Sequence, residues 1–219
     1  MTKSQSGLEK KTLILDAATQ LLVTKGVKDL SFENVAYEAG FSRQLVRYYY
    51  PDIETLIVHL CDHMGNAYRE ILVSGVVEVQ QVARLDFFLD FFFGLSETHP
   101  MPPNLEAYDA MFAYSVGSDA VRDRMCIQYQ TLGQVMMHEL AIAHPDLDTA
   151  ICEEISFVFV TLMHAHWSFT ASLGYVGEHG KLHRRSMERI IASYVAEAPK
   201  EPTMNARPWT REDQSRAML

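Results

Sequence analysis

Four side chains close together in sequence, Arg43, Gln44, Arg47 and Tyr48, carry groups that can read the surface of a nucleic acid. Arginine can hold guanine O6 and N7 with two parallel N–H bonds, and glutamine can do the same for adenine. At the ~100° per residue of a helix, these four side chains share one side, while Leu45, Val46, Tyr49 and Tyr50 share the other. A helix over 42–50 would therefore turn hydrogen-bonding groups outward and bulk inward. Arg43 and Gln44 fall in its first turn, the part of a reading helix that enters the major groove. Arg47 and Tyr48 come one turn later, where phosphate or sugar contact is as good a match as base contact. Solvated arginines and ordinary tyrosine packing would leave the same spacing, so the neighbouring elements have to decide.

Those elements support the first reading. Ser42 is a good helix cap, with Phe41 and Val46 placed as a hydrophobic staple across it. The helix should end at Tyr50, because the residue before Pro51 is disfavoured in helical geometry. Ahead of it, Ser31 caps a short helix that buries Phe32, Val35, Ala36 and Ala39, and Leu30 and Val35 form a similar staple. Gly40 permits the tight turn between the two helices. Earlier still, Ile14, Ala17, Ala18, Leu21 and Leu22 mark one face of a supporting helix that stops at Gly26. Two short capped helices joined by a turn, behind a longer one, form a helix-turn-helix pattern. Ser31 and the amides of its helix could hold a phosphate, and Lys10 and Lys11 could add charge.

Helical periodicity continues through the rest of the chain and predicts an all-α protein of about nine helices. Asp52 caps a long helix from Ile53 to Val73, and further helices are expected over 81–98, 104–115, 119–143, 148–173 and 181–197. The division this suggests is a helix-turn-helix domain over 1–52, a larger helical domain over 53–197 and a mobile tail over 198–219, rich in proline. Net charge is −9, which alone would argue against a nucleic-acid partner. Its distribution reverses that, because residues 1–50 carry seven bases against five acids and the remainder is strongly acidic.

Other chemistries find little support. The three cysteines, Cys61, Cys126 and Cys152, include no C-x-x-C pair, which argues against a disulfide framework or a cysteine-rich zinc site and fits a reducing cytoplasm. The N-terminus lacks the apolar stretch of a signal peptide, and the most apolar run, 85–95, is broken by Asp86 and Asp90, so no membrane partner is expected. No Glu-x-x-His pair, G-x-S-x-G, H-E-x-x-H or phosphate-loop pattern appears, so an enzyme is not expected and no cofactor is implied.

Residues 8–60, most densely from Ser31 through Gly40 and Tyr50 to Asp52, resemble the TetR (tetracycline repressor) family of transcriptional regulators. The serine cap, the Val-Ala pair, the Ala-Gly-Phe-Ser turn, the aromatic helix end and Leu56 all occur in register. The resemblance implies a cytoplasmic homodimer on double-stranded DNA with a palindromic operator, with contacts from Ser31, Ser42, Arg43, Gln44, Arg47, Tyr48 and Tyr49. It further implies a repressor released by a small-molecule effector. Two positions depart from the family pattern: Arg47 replaces a usual tyrosine, and Ile53 stands where many members place a phosphate-binding lysine. Glu33 would face phosphate unfavourably unless it points away.

For the effector, assumed to be largely apolar, the expected lining is Phe88, Phe92, Tyr108, Met111, Phe112, Met136, His166 and Trp167, although each is more often plain core than pocket. For dimerisation, stripes on the last two helices offer Ile155, Phe159, Leu162 and Phe169, then Ile190, Ile191 and Tyr194; intrachain core is the competing reading. Two alternatives remain open. One is a metal-responsive regulator using His59 and His63, four apart on one helix face; the other is a helical interaction module with weak DNA binding.

Overall fold

The computed structural model describes residues 3–211, and among the described residues it contains nine α-helices and no strand. The first three are α1 (Lys3–Lys25), α2 (Phe32–Ala39) and α3 (Arg43–Tyr49). The anticipated caps form: Asn34 N–H donates to Ser31 Oγ at 3.2 Å, Leu45 N–H to Ser42 Oγ at 3.2 Å, and Thr55 N–H to Asp52 Oδ1 at 2.6 Å. Gly40 ends α2 with a φ of 69°, a left-handed conformation that costs a residue with a side chain. Ile14, Ala18, Leu21, Val35, Val46 and Tyr50 close the small core under this unit.

The larger part begins with α4 (Ile53–Glu78), longer than its periodicity suggested, followed by α5 (Arg84–Phe92) and α6 (Glu106–Ser115). The helix expected over 81–98 is shorter because the chain closes back after Phe92, with Gly94 N–H on Phe91 O at 3.1 Å and Leu95 N–H on Asp90 O at 2.8 Å. Next come α7 (Asp119–Ala143), α8 (Thr149–Trp167) with a π-helical turn over Ser168–Ser172, and α9 (His179–Glu197). α7 packs on α4 and α8, and α9 on α8. Arg124 Nε lies 2.5 Å from Asp62, tying α7 to α4. Arg184, almost fully buried, reaches Asp86, Asp90 and Glu188 at 2.7 Å each and pins α9 against α5.

Residues 199–211, expected as part of a mobile tail, are docked along α7 and α8: Met204 N–H donates to Glu154 at 3.0 Å, and the Trp209 ring packs edge-on to Phe157. The end of that tail, 212–219, lies outside the described residues. No helix among the described residues is long and apolar enough to cross a membrane.

Candidate nucleic-acid interface

The short helix α3 stands on two inward-facing anchors. Val46 is fully buried and Tyr50 is 2% exposed. Burial pushes the Tyr50 hydroxyl up to about 12, so it stays neutral at any working pH and packs against α1, where its hydroxyl approaches Lys11 O at 3.5 Å. With one side of α3 pressed into the core, the other side must face solvent. Ser42, Arg43, Gln44, Arg47 and Tyr48 are all exposed, Tyr48 at 80%. A row of hydrogen-bonding groups on a helix clamped from behind can contact base edges without first having to order itself.

Each expected contact residue has a definite place. Ser31 is half-buried, spends its Oγ on the α2 cap and sits at that helix's N-terminus, where free amides favour an anion. Arg43 is bound to Glu33 across the turn, Nη1 to Oε1 at 2.6 Å, with both groups more than half exposed. Glu33 therefore faces the same side as Arg43 but is neutralised by it. Arg47 lies over the Phe32 ring at 5.4 Å, a cation–π contact that ties the exposed guanidinium to α2. Tyr49, a contact by the family resemblance but inward by periodicity, is half-buried, edge-on to Tyr48 at 5.2 Å, with Lys11 Nζ 5.8 Å from its ring centre. The period of the helix turns Tyr49 towards α1, so it supports Tyr48 and Lys11 instead of sharing their exposure. Sequence reasoning missed Tyr37, 87% exposed on α2, because an isolated surface tyrosine carries no periodic signal.

Residues 14–60 match the family model described as bacterial regulatory proteins, tetR family. The helix-turn-helix domain is that of the TetR family. Three solved structures share the fold over nearly all their length. A TetR transcription regulator from Haloarcula marismortui matches with a TM-score of 0.72 and 19% identity, over 85% of this chain and 98% of its own. A TetR-family regulator from Rhodococcus sp. gives a TM-score of 0.69 and 17% identity, over 84% and 98%. A transcriptional regulator from Saccharomonospora viridis, solved in complex with choline, gives a TM-score of 0.68 and 14% identity, over 84% and 96%. No curated protein matches the sequence.

In this TetR-type fold, the residues proposed for an effector pocket do not gather around one cavity. Phe88, Phe92, Met111, Met136, His166 and Trp167 are buried in a packed cluster, with Phe88 and Phe92 rings 4.8 Å apart and Trp167 Nε1 donating to Phe92 O at 3.0 Å. Tyr108 instead lines a cavity of about 460 Å3 between α1, α2, α4 and the start of α6, together with Asp16, Glu38, His63 and Tyr68. Phe112 is 51% exposed and lines a different cavity. Aromatics and methionines fill cores as readily as they line pockets, so composition did not separate the two.

The dimerisation stripes divide as well. Ile155 and Phe159 are fully enclosed and Ile191 is 6% exposed, so within this TetR-type fold they belong to the chain's own core. Leu162, Ile190 and Tyr194 are half-buried and Phe169 is 51% exposed. Along one stripe of α8 and its π-helical turn, Val158 and Leu162 are half-buried, Leu162 packing against the core, while Ala165 and Phe169 are exposed. His59 packs edge-on to Tyr50 and His63 Nε2 meets Asp16 at 2.7 Å, and no group of three metal-ligating side chains occurs among the described residues.

Proposed function

We propose that the chain is a sequence-specific DNA-binding transcriptional regulator that works as a homodimer on a palindromic operator and is released by a small-molecule effector. The observation that carries the reading is the exposed row Ser42, Arg43, Gln44, Arg47 and Tyr48 on a helix anchored by Val46 and Tyr50. Arg43 and Gln44 read base edges, Arg47 and Tyr48 hold the backbone, and Ser31 with the α2 amides takes a phosphate. Arg47 supplies the cation that Ile53 cannot. Residues 1–52 form the reading domain and 53–197 the effector and dimer domain.

Two-fold reading needs two copies of α3 a helical turn of DNA apart, or a multiple of it. The apolar stripe Val158, Leu162, Ala165 and Phe169, exposed at Ala165 and Phe169, and exposed Leu182 of α9 support pairing of α8 and α9 between subunits. For release, the cavity next to Tyr108 touches both domains, so a ligand there would bias the angle between α1 and α4. The regulator in complex with choline supports a small-molecule effector as a class. Selection from random DNA by the full chain should yield a two-fold symmetric consensus; recovery of unenriched sequences would remove the reading. Any small molecule that raises the chain's melting temperature through this cavity should also lower operator affinity, and equal affinity would remove the release step.

A further inference from the structure

The second cavity, about 370 Å3, has one wall made by residues 208–211. Phe112 of α6, Tyr129 of α7, and Phe157 and His164 of α8 form three sides, and Trp209 forms the fourth. The rings offer both faces and edges. Phe112 stacks on His164 at 5.2 Å, Tyr129 stands edge-on to His164 at 5.5 Å, and Phe157 stands edge-on to Trp209 at 5.0 Å. Such a box matches the quadrupole of a flat π system better than it matches an aliphatic ligand.

The wall is built in. Glu154, only 5% exposed, accepts from Met204 N–H at 3.0 Å, Thr203 Oγ1 at 3.1 Å and the Tyr194 hydroxyl at 3.5 Å, so two of these three donors come from the terminal segment. A buried carboxylate needs such donors, and α8 places it where only this segment can supply most of them. Trp209 Nε1 donates to Ser156 Oγ at 3.4 Å, and its ring lies over Gly133, where any Cβ would overlap it. Charge is arranged to match. Arg207 meets Glu153 at 3.2 Å and Arg211 meets Asp123 at 2.7 Å. Burial holds the His164 imidazole below its ordinary value, in spite of Asp109, so it is neutral at pH 7. Among the described residues lining the cavity, Arg211 is then the charged side chain, and Asp123 holds its guanidinium at the rim.

We infer that residues 199–211 complete a binding pocket for planar aromatic ligands, neutral or anionic, between α6, α7 and α8. This is a ligand site separate from the DNA-reading face and from the cavity beside Tyr108. Without the terminal segment its aromatic box is open on one side.

The test uses the full chain and 2-naphthoate as probe, with cyclohexanecarboxylate as a ligand of equal charge lacking a π face. Calorimetry should show 2-naphthoate binding the wild type more tightly than cyclohexanecarboxylate. It should also shift the indole N–H resonance of Trp209, assigned by its loss in Trp209→Ala. Gly133→Ala keeps the helix, alanine being the better helix former, yet collides with the indole. It should move the Trp209 resonance and weaken 2-naphthoate binding about tenfold, the scale of losing a stacked aromatic wall, with the helical circular dichroism unchanged. Failure of the wild type to bind 2-naphthoate would overturn the inference. So would undiminished binding in Gly133→Ala, or an unmoved Trp209 resonance in that variant.

Discussion

The Arg43 guanidinium lies 2.6 Å from the Glu33 carboxylate, linking the first turn of α3 to the first turn of α2 on the exposed side of the reading domain. Both groups are more than half exposed, so the pair itself stabilises the fold little. Its consequence concerns DNA. Arg43 must leave Glu33, or share it, before it can meet a guanine, and Glu33 must then tolerate nearby phosphate. Glu33→Gln should therefore tighten binding to operator and to random DNA alike, on the order of twofold to fivefold at low salt, with a smaller gain at high salt. Anisotropy titrations at two salt concentrations measure this. Weaker binding by Glu33→Gln would mean that the carboxylate positions Arg43.

The dimer face makes a contrasting pair of variants. Phe169→Asp places a charge on the exposed end of the α8 stripe and should give a folded monomer with far weaker operator affinity. Ile155→Ala, in the enclosed core, should instead cost about 2–5 kcal/mol of stability while leaving the folded fraction dimeric. Sedimentation velocity separates the outcomes, and a dimeric Phe169→Asp would place the interface elsewhere.

Buried histidine predicts a pH effect. Burial, with His183 close by at a ring distance of 4.8 Å, depresses His166 to about 4 from an ordinary 6.5. Between those values the unfolded chain binds more protons than the folded one, so stability is present above pH 6.5 and is lost as pH falls towards 4. The loss should be on the order of 3 kcal/mol. Urea unfolding at several pH values checks it: the difference between wild type and His166→Phe should change across this window, and a constant difference would contradict the assignment.

The helix-turn-helix unit was legible in the sequence because local rules govern it. Three capping side chains, Ser31, Ser42 and Asp52, and one left-handed glycine set its elements, and a helix of seven residues has one buried side that periodicity identifies. Periodicity also placed Tyr49 inward, where it lies half-buried; only the family resemblance put it among the contacts. The larger domain was less legible for a physical reason. Phe92 is surrounded by Tyr68, Phe88, Phe91, Phe159 and Trp167 from several helices, an arrangement that depends on packing distant in sequence. The same distance hid the role of Glu154 and Gly133 as a seat for residues 199–211, since neither residue marks that role locally.

The most direct test of the account measures affinity of wild type, Arg43→Ala and Arg47→Ala for the selected operator and for each single base-pair change in one half-site. Arg43→Ala should lose about 1–3 kcal/mol of discrimination at one base pair per half-site. Arg47→Ala should weaken every sequence by a similar factor and reduce the salt dependence. Base preference, affinity and salt dependence unchanged in both variants would contradict α3 as the reading helix.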